Sequence, residues 1–271
     1  VYLDFYGLRE PPFSLTPDPR FLFYSERHRE ALELLLFALR ERKGFVQLTG
    51  EVGCGKTTLC RALLERLGSG YHTALILNPV LSPGQLLRSI LKELGLEVPA
   101  RADRVECLER LNRFLLEVVP KGEEVVLLVD EAQDLGPELL EQVRLLSNLE
   151  TDREKLLQIV LIGQPELREL LDHPRLRQLR QRIPVRCHLE PLDREETELY
   201  LHFRLQVAGA NGQPTFTPWA LRKLYRYSRG IPRLLNAAAD LTLLAGYVEG
   251  TTELRARHVR RAIEELEGRR P

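Results

Sequence analysis

The sequence predicts an α/β fold in which a five-stranded parallel sheet precedes an all-helical module. Three observations carry this reading. Five short apolar runs, at 45–49, 73–77, 125–129, 156–162 and 183–189, are separated by stretches that include helical periodicity. The first run leads into Gly50-Glu51-Val52-Gly53-Cys54-Gly55-Lys56-Thr57, a G-x-x-x-x-G-K-T loop, with a helical pattern over 57–67 behind it. From Glu190 onward the strand signals stop and helices take over.

Bulk properties narrow the class. The 271 residues suffice for one large domain or two smaller ones. An apolar fraction of 44% and a charged fraction of 29% are those of a soluble globular protein. A formal net charge of zero excludes a broad electrostatic footprint for nucleic acid or anionic membrane, though not a local basic patch. No apolar run approaches the ~18 residues of a membrane span, and no secretory leader is read, so the cytoplasm is the expected location. Cys54, Cys60, Cys107 and Cys187 form no C-x-x-C pair and are expected as reduced thiols.

Residues 1–24 are dense in aromatics and prolines, which forbids a long helix and argues against disorder. An ordered, extended segment pinned to the surface is expected. Within it Pro12 and Phe13 have two open roles, packing or contact with an adenine base. Ser25 is placed to cap a helix running to Arg40, and Gly44 ends it before the first strand. The second strand closes at Asn78-Pro79, and helices are predicted over 83–94 and 105–119. Another is expected over 137–146. Beyond the fifth strand, helices are predicted at 193–207, 218–227, 232–247 and 254–267, with Asp193 and Thr217 as N-caps.

The loop 50–57 reads as a phosphate cradle, or Walker A motif. Glycines let the backbone wrap an anion, and the N–H groups and helix N-terminus face the phosphates. Gly50, Gly53, Cys54, Gly55, Lys56, Thr57 and Thr58 are the expected nucleotide-binding residues. Lys56 should reach the β- and γ-phosphates, and Thr57 should ligate Mg²⁺. Cys54 sits inside the cradle, so thiol modification should compete with nucleotide. The run 125–129 is apolar throughout, as suits a strand buried on both faces, and it ends in Asp130-Glu131. This is a Walker B pattern: Asp130 for Mg²⁺, Glu131 for the attacking water. The fourth strand ends in Gly163-Gln164-Pro165, where Gln164 is either a sensor of the γ-phosphate or part of a turn. An arginine-rich stretch follows, with Arg168, Arg175, Arg177, Arg180, Arg182 and Arg186. It reads as a solvated face, as a finger into a neighbour's nucleotide, or as a phosphate-backbone contact.

These features together look like an AAA+ ATPase. The opening Tyr6-Gly7-Leu8-Arg9-Glu10-Pro11-Pro12-Phe13-Ser14-Leu15-Thr16-Pro17-Asp18-Pro19 narrows the resemblance to the ExeA/GspA-type general secretion family. So do Asn78-Pro79 before Leu81-Ser82, the run Leu145-Leu146-Ser147-Asn148-Leu149-Glu150-Thr151-Asp152, and Gly163-Gln164-Pro165-Glu166-Leu167. The resemblance implies an AAA+ core over 1–189, including the extended segment 1–24, and a helical lid over 190–271. It also implies that Asp130 holds Mg²⁺ and Glu131 is the catalytic base. Gln164 stands where related ATPases often carry a sensor asparagine. Arg182 matches the arginine finger, with Arg180 its rival, and Arg233 of Gly230-Ile231-Pro232-Arg233 matches the sensor of the lid. Family members often continue into a membrane span and a periplasmic region. This chain, which stops at Arg269-Arg270-Pro271, would be the cytoplasmic ATPase part or a shorter relative. The expected function is Mg²⁺-dependent ATP hydrolysis at subunit interfaces of a homo-oligomer that powers or switches a secretion or pilus system. The alternative is a DNA-associated ATPase regulator of the transposition type.

Overall fold

The computed structural model describes residues 1–16, 18–77, 81–99, 101–150 and 155–268. Pro17, Asn78, Pro79, Thr151, Asp152 and the terminal Arg269, Arg270 and Pro271 lie outside them. The opening segment is less extended than its prolines suggest. It begins with a one-turn helix, α1 (Leu3–Tyr6), and a 3-10 turn covers Pro19–Phe21. Helix α2 (Glu26–Arg40) starts after Ser25, whose hydroxyl accepts the His28 amide as an N-cap does. Strand β1 (Phe45–Gly50) is buried throughout, and α3 (Lys56–Leu67) follows the loop. After β2 (Tyr71–Ile76), a capping box of Ser82 and Gln85 opens α4 (Pro83–Glu93). Asp103 caps α5 (Arg104–Val118), and β3 (Glu124–Val129), α6 (Gly136–Leu146) and β4 (Gln158–Gly163) come next.

The arginine-rich stretch holds two short helices, α7 (Glu166–Leu171) and α8 (Arg177–Gln181). Leu167, Leu171, Leu176 and Leu179 are buried there, so the arginines belong to the outer face of a packed segment. Then come β5 (Val185–Leu189), α9 (Arg194–Val207), β6 (Thr215–Phe216), α10 (Pro218–Ser228), α11 (Pro232–Val248), β7 (Glu253–Leu254) and α12 (Ala256–Leu266). Asp193 and Thr217 cap α9 and α10 as expected.

The five long strands form one parallel sheet in the order β2-β3-β4-β1-β5. Thr49 of β1 is in register with Gly163 of β4, and Val129 of β3 with Leu161 of β4. The C-terminal ends of β1, β3 and β4 therefore lie side by side, where open α/β sheets bind ligands. The C-terminal module is helical except for a parallel pairing of β6 with β7, two residues each and too short to leave a periodicity.

The chain divides into two compact units. One comprises Arg29–Gly50 and Leu59–Leu189, with the sheet and a core built around Leu127, Ile159 and Leu161. The other comprises Val1–His28, Glu51–Thr58 and Glu190–Pro271. Its core joins Tyr6, Leu8, Phe13 and Phe21 of the opening segment to Leu201, Phe216, Leu235 and Leu243. A buried arginine ties this unit together. Arg204, only 7% exposed, donates from Nε to the Pro12 carbonyl (2.6 Å) and from Nη2 to the Ser14 carbonyl (3.1 Å). Its guanidinium lies 4.6 Å from the centroid of the Phe21 ring. Neutral carbonyls and an aromatic face thus accommodate the buried cation. Among the described residues no helix is long and apolar enough to cross a membrane.

Candidate active site

The loop leaves β1 at Gly50 and enters α3 at Lys56. Gly53 has φ +83°, and a Cβ there would come within 2.5 Å of the Arg233 Cβ. Its carbonyl accepts the Arg233 amide at 3.3 Å, so the first turn of α11 rests against the loop. The Cys54 carbonyl accepts from His28 Nε2 at 3.1 Å. A carbonyl can only accept, so Nε2 carries the proton, and Nδ1 takes the Ser25 hydroxyl at 2.8 Å. Burial holds the His28 imidazole below its ordinary value. Lys56 is buried, and its Nζ donates to the Glu51 carbonyl at 3.1 Å. Thr57 and Thr58 are half-buried in the first turn of α3.

Cys54 is 1% exposed, and burial pushes its thiol up to about 11. Both work against modification by a thiol reagent. The thiolate is the reacting form, and here the thiol is both covered and protonated.

A second group of expected residues lies in the sheet unit. Asp130, buried at the end of β3, accepts the Glu131 amide through Oδ1 at 2.9 Å. Glu131 occupies the left-handed region with φ 50° and ψ 41°, uncommon for a non-glycine residue. Its Oε2 accepts two amide donors, Gln133 Nε2 at 2.8 Å and Gln164 Nε2 at 3.2 Å. Gln133 Oε1 in turn accepts the Gln164 backbone amide at 3.1 Å. That bond leaves only Nε2 of Gln133 to face the carboxylate, so the amide orientation is fixed by the network. A Cβ on Gly163 would lie 2.6 Å from Gln133 Oε1, so this approach needs glycine at the tip of β4. Sequence reasoning missed Gln133 and His28. For Gln133 the available signal was an amide two residues past the acidic pair; for His28, a histidine in the first turn of a capped helix had none.

Other expected residues are placed as follows. Arg182 is half-buried, and its Nη1 donates to Ser147 Oγ (2.7 Å) and Asn148 Oδ1 (2.6 Å). Arg180 is exposed and pairs with Asp172 at 2.9 Å. Arg233 is exposed. Phe13 is 2% exposed, its ring edge-on to Phe216 with centroids 6.4 Å apart, and Pro12 is buried beside it. Of their two open roles, packing is the one these surroundings fill.

A family model described as an AAA domain matches residues 39–171. Residues 39–171 are thus an AAA domain, and with the parallel sheet and the phosphate loop at its β1 end the chain is an ATPase of the P-loop fold. It is 48% identical over 268 residues to General secretion pathway protein A of Aeromonas hydrophila, covering 99% of this chain and 49% of that protein. The chain thus spans about half the length of this relative. Solved structures share the fold at lower identity. Cdc6p from Pyrobaculum aerophilum has a TM-score of 0.73 at 18% identity, covering 94% of this chain and 70% of its own. The ORC2 protein of Aeropyrum pernix, in ADPNP and ADP complexes, has 0.69 at 17%, covering 94% and 72%. The RuvB Holliday junction branch migration motor of Thermotoga maritima has 0.59 at 20%, covering 90% and 70%.

Proposed function

We propose that the chain binds Mg²⁺–ATP through Gly50, Gly53, Cys54, Gly55, Lys56, Thr57 and Thr58 and hydrolyses it with Glu131 as the base. One observation carries the reading: the Glu131 carboxylate is held by two amides, Gln133 and Gln164, beside the strand ends from which the loop departs. A carboxylate aimed this way can take a proton from water, and the second N–H of Gln164 is available to a γ-phosphate oxygen. Thr57 and Asp130 supply a hydroxyl and a carboxylate, the hard oxygen donors that suit Mg²⁺. When bound, the ion would offset phosphate charge. Lys56 would neutralise the transferring phosphoryl group, and Arg233, whose amide already meets the loop, would report nucleotide to the lid.

The finer reading is a homo-oligomer in which 1–189 is the core and 190–271 the lid. Arg182, or Arg180, would complete a neighbour's site. A finger supplied in trans contributes ~10³–10⁵ in rate, so specific activity should climb steeply with protein concentration. A flat value across a wide dilution series would remove the finger from the mechanism. The relative's name supports a secretion role, with envelope secretion or pilus components as partners and the cytoplasm as location. The DNA-associated alternative has only the likeness of fold behind it. The deciding test of the base is Glu131→Gln: ATP binding should persist while turnover falls by ~10²–10⁴. Normal hydrolysis by this variant would overturn the assignment.

A further inference from the structure

Helix α10 buries Ala220, Leu221, Leu224 and Ser228, and it carries a second stripe that the core does not use. Trp219, Arg222, Lys223, Arg226 and Tyr227 follow one another at helical spacing along it. Opposite them, α12 contributes Ala256 and Ile263, two turns apart. Together they line a groove of about 590 Å³. The tryptophan is the only one in the sequence and is 70% exposed, with the Arg222 guanidinium 5.7 Å from its ring centroid. No carboxylate lines the groove, and Arg222, Lys223 and Arg226 have no ion-pair partner among the described residues. Elsewhere in the same module arginines are neutralised: Arg255 by Glu253 and Arg257 by Glu249. Three uncompensated cations beside an apolar wall in a neutral chain are a local recognition feature.

We propose that this groove is a docking site for an acidic amphipathic helical segment of a partner protein. Charge complementarity selects the occupant. The cations stand on the α10 wall, while the α12 wall is apolar. A helix with carboxylates along one side and aliphatic residues beside them matches both walls. Tryptophan and arginine are also the residue types that most often anchor such contacts. A nucleic-acid strand would pair its phosphates with the cations but leave the α12 wall at Ala256 and Ile263 without an aliphatic partner. A flat bilayer would touch the exposed Trp219 and leave the α12 wall at Ala256 and Ile263 uncovered.

Trp219 itself reports occupancy. The full chain would be titrated with a synthetic leucine–glutamate helical peptide while its emission is followed. The expected result is a saturable blue shift, absent with the lysine analogue of the peptide. The shift should weaken by at least about tenfold in Arg222→Glu/Arg226→Glu, whose circular dichroism and ATP turnover should match the parent. No shift, or an equal shift in the double variant, overturns the proposal. So does a response only to oligothymidylate, which points to nucleic acid, or only to phosphatidylglycerol vesicles, which points to a membrane surface.

Discussion

The phosphate loop and the carboxylate corner are held by different kinds of bond. Around the loop the holding atoms are mostly main chain: the Gly53 carbonyl with the Arg233 amide, the Cys54 carbonyl with His28, and the Glu51 carbonyl with Lys56. At the carboxylate corner they are side-chain amides, Gln133 and Gln164, converging on one oxygen of Glu131. A main-chain frame tolerates many side chains but depends on glycine where two backbones close in. A side-chain frame depends on the chemical identity of each member. The loop should therefore be sensitive at few positions and the corner at all of them.

The largest effect should come from Lys56→Ala, which removes the only cation of the loop 50–57. ATP affinity is expected to fall at least about a hundredfold, measured by calorimetric titration. Gln133→Ala comes next. It strips Glu131 of its shorter bond and leaves the Gln164 amide without its acceptor. Turnover should drop by roughly 10–100-fold, with KM for ATP nearly unchanged. Unchanged turnover would break the contrast drawn above, because the corner would then not depend on its amides. Gly53→Val should cost about tenfold in ATP affinity, since a branched side chain resists φ +83° and meets Arg233. The smallest effect belongs to His28. Its folded value lies below the ordinary 6.5, so the unfolded chain binds the proton more readily. Its contribution is complete above pH 6.5 and declines as acidification proceeds toward the lowered folded value. Urea midpoints for the parent and His28→Gln should converge as the pH falls from 7 toward 5. Parallel curves would mean that the imidazole does not titrate in this way.

Much of this site could be read from residue order. The phosphate loop sits between a strand and a helix as a G-x-x-x-x-G-K-T motif requires. The apolar run 125–129 and its acidic end came through because a strand buried on both faces leaves a continuous signal. The α7–α8 segment was hidden by its arginines, although Leu167, Leu171, Leu176 and Leu179 were present at near-helical spacing. Strand order, the β6–β7 pairing and the Gln133–Glu131 bond depend on contacts between distant or weakly patterned residues, and no local periodicity encodes them. The roles of Pro12 and Phe13 were open for the same reason, because their neighbours include Arg204 and Phe216, some two hundred residues away in the chain.

That last separation bears on how the protein is made. Arg204 holds the carbonyls of Pro12 and Ser14, so this segment obtains its cover from a residue 192 and 190 positions later in the chain. On the ribosome, Tyr6, Leu8, Phe13 and Phe21 emerge early and wait while the whole sheet unit is translated. Contacts so distant along the chain close slowly, and the waiting aromatics are the surface a chaperone would meet first.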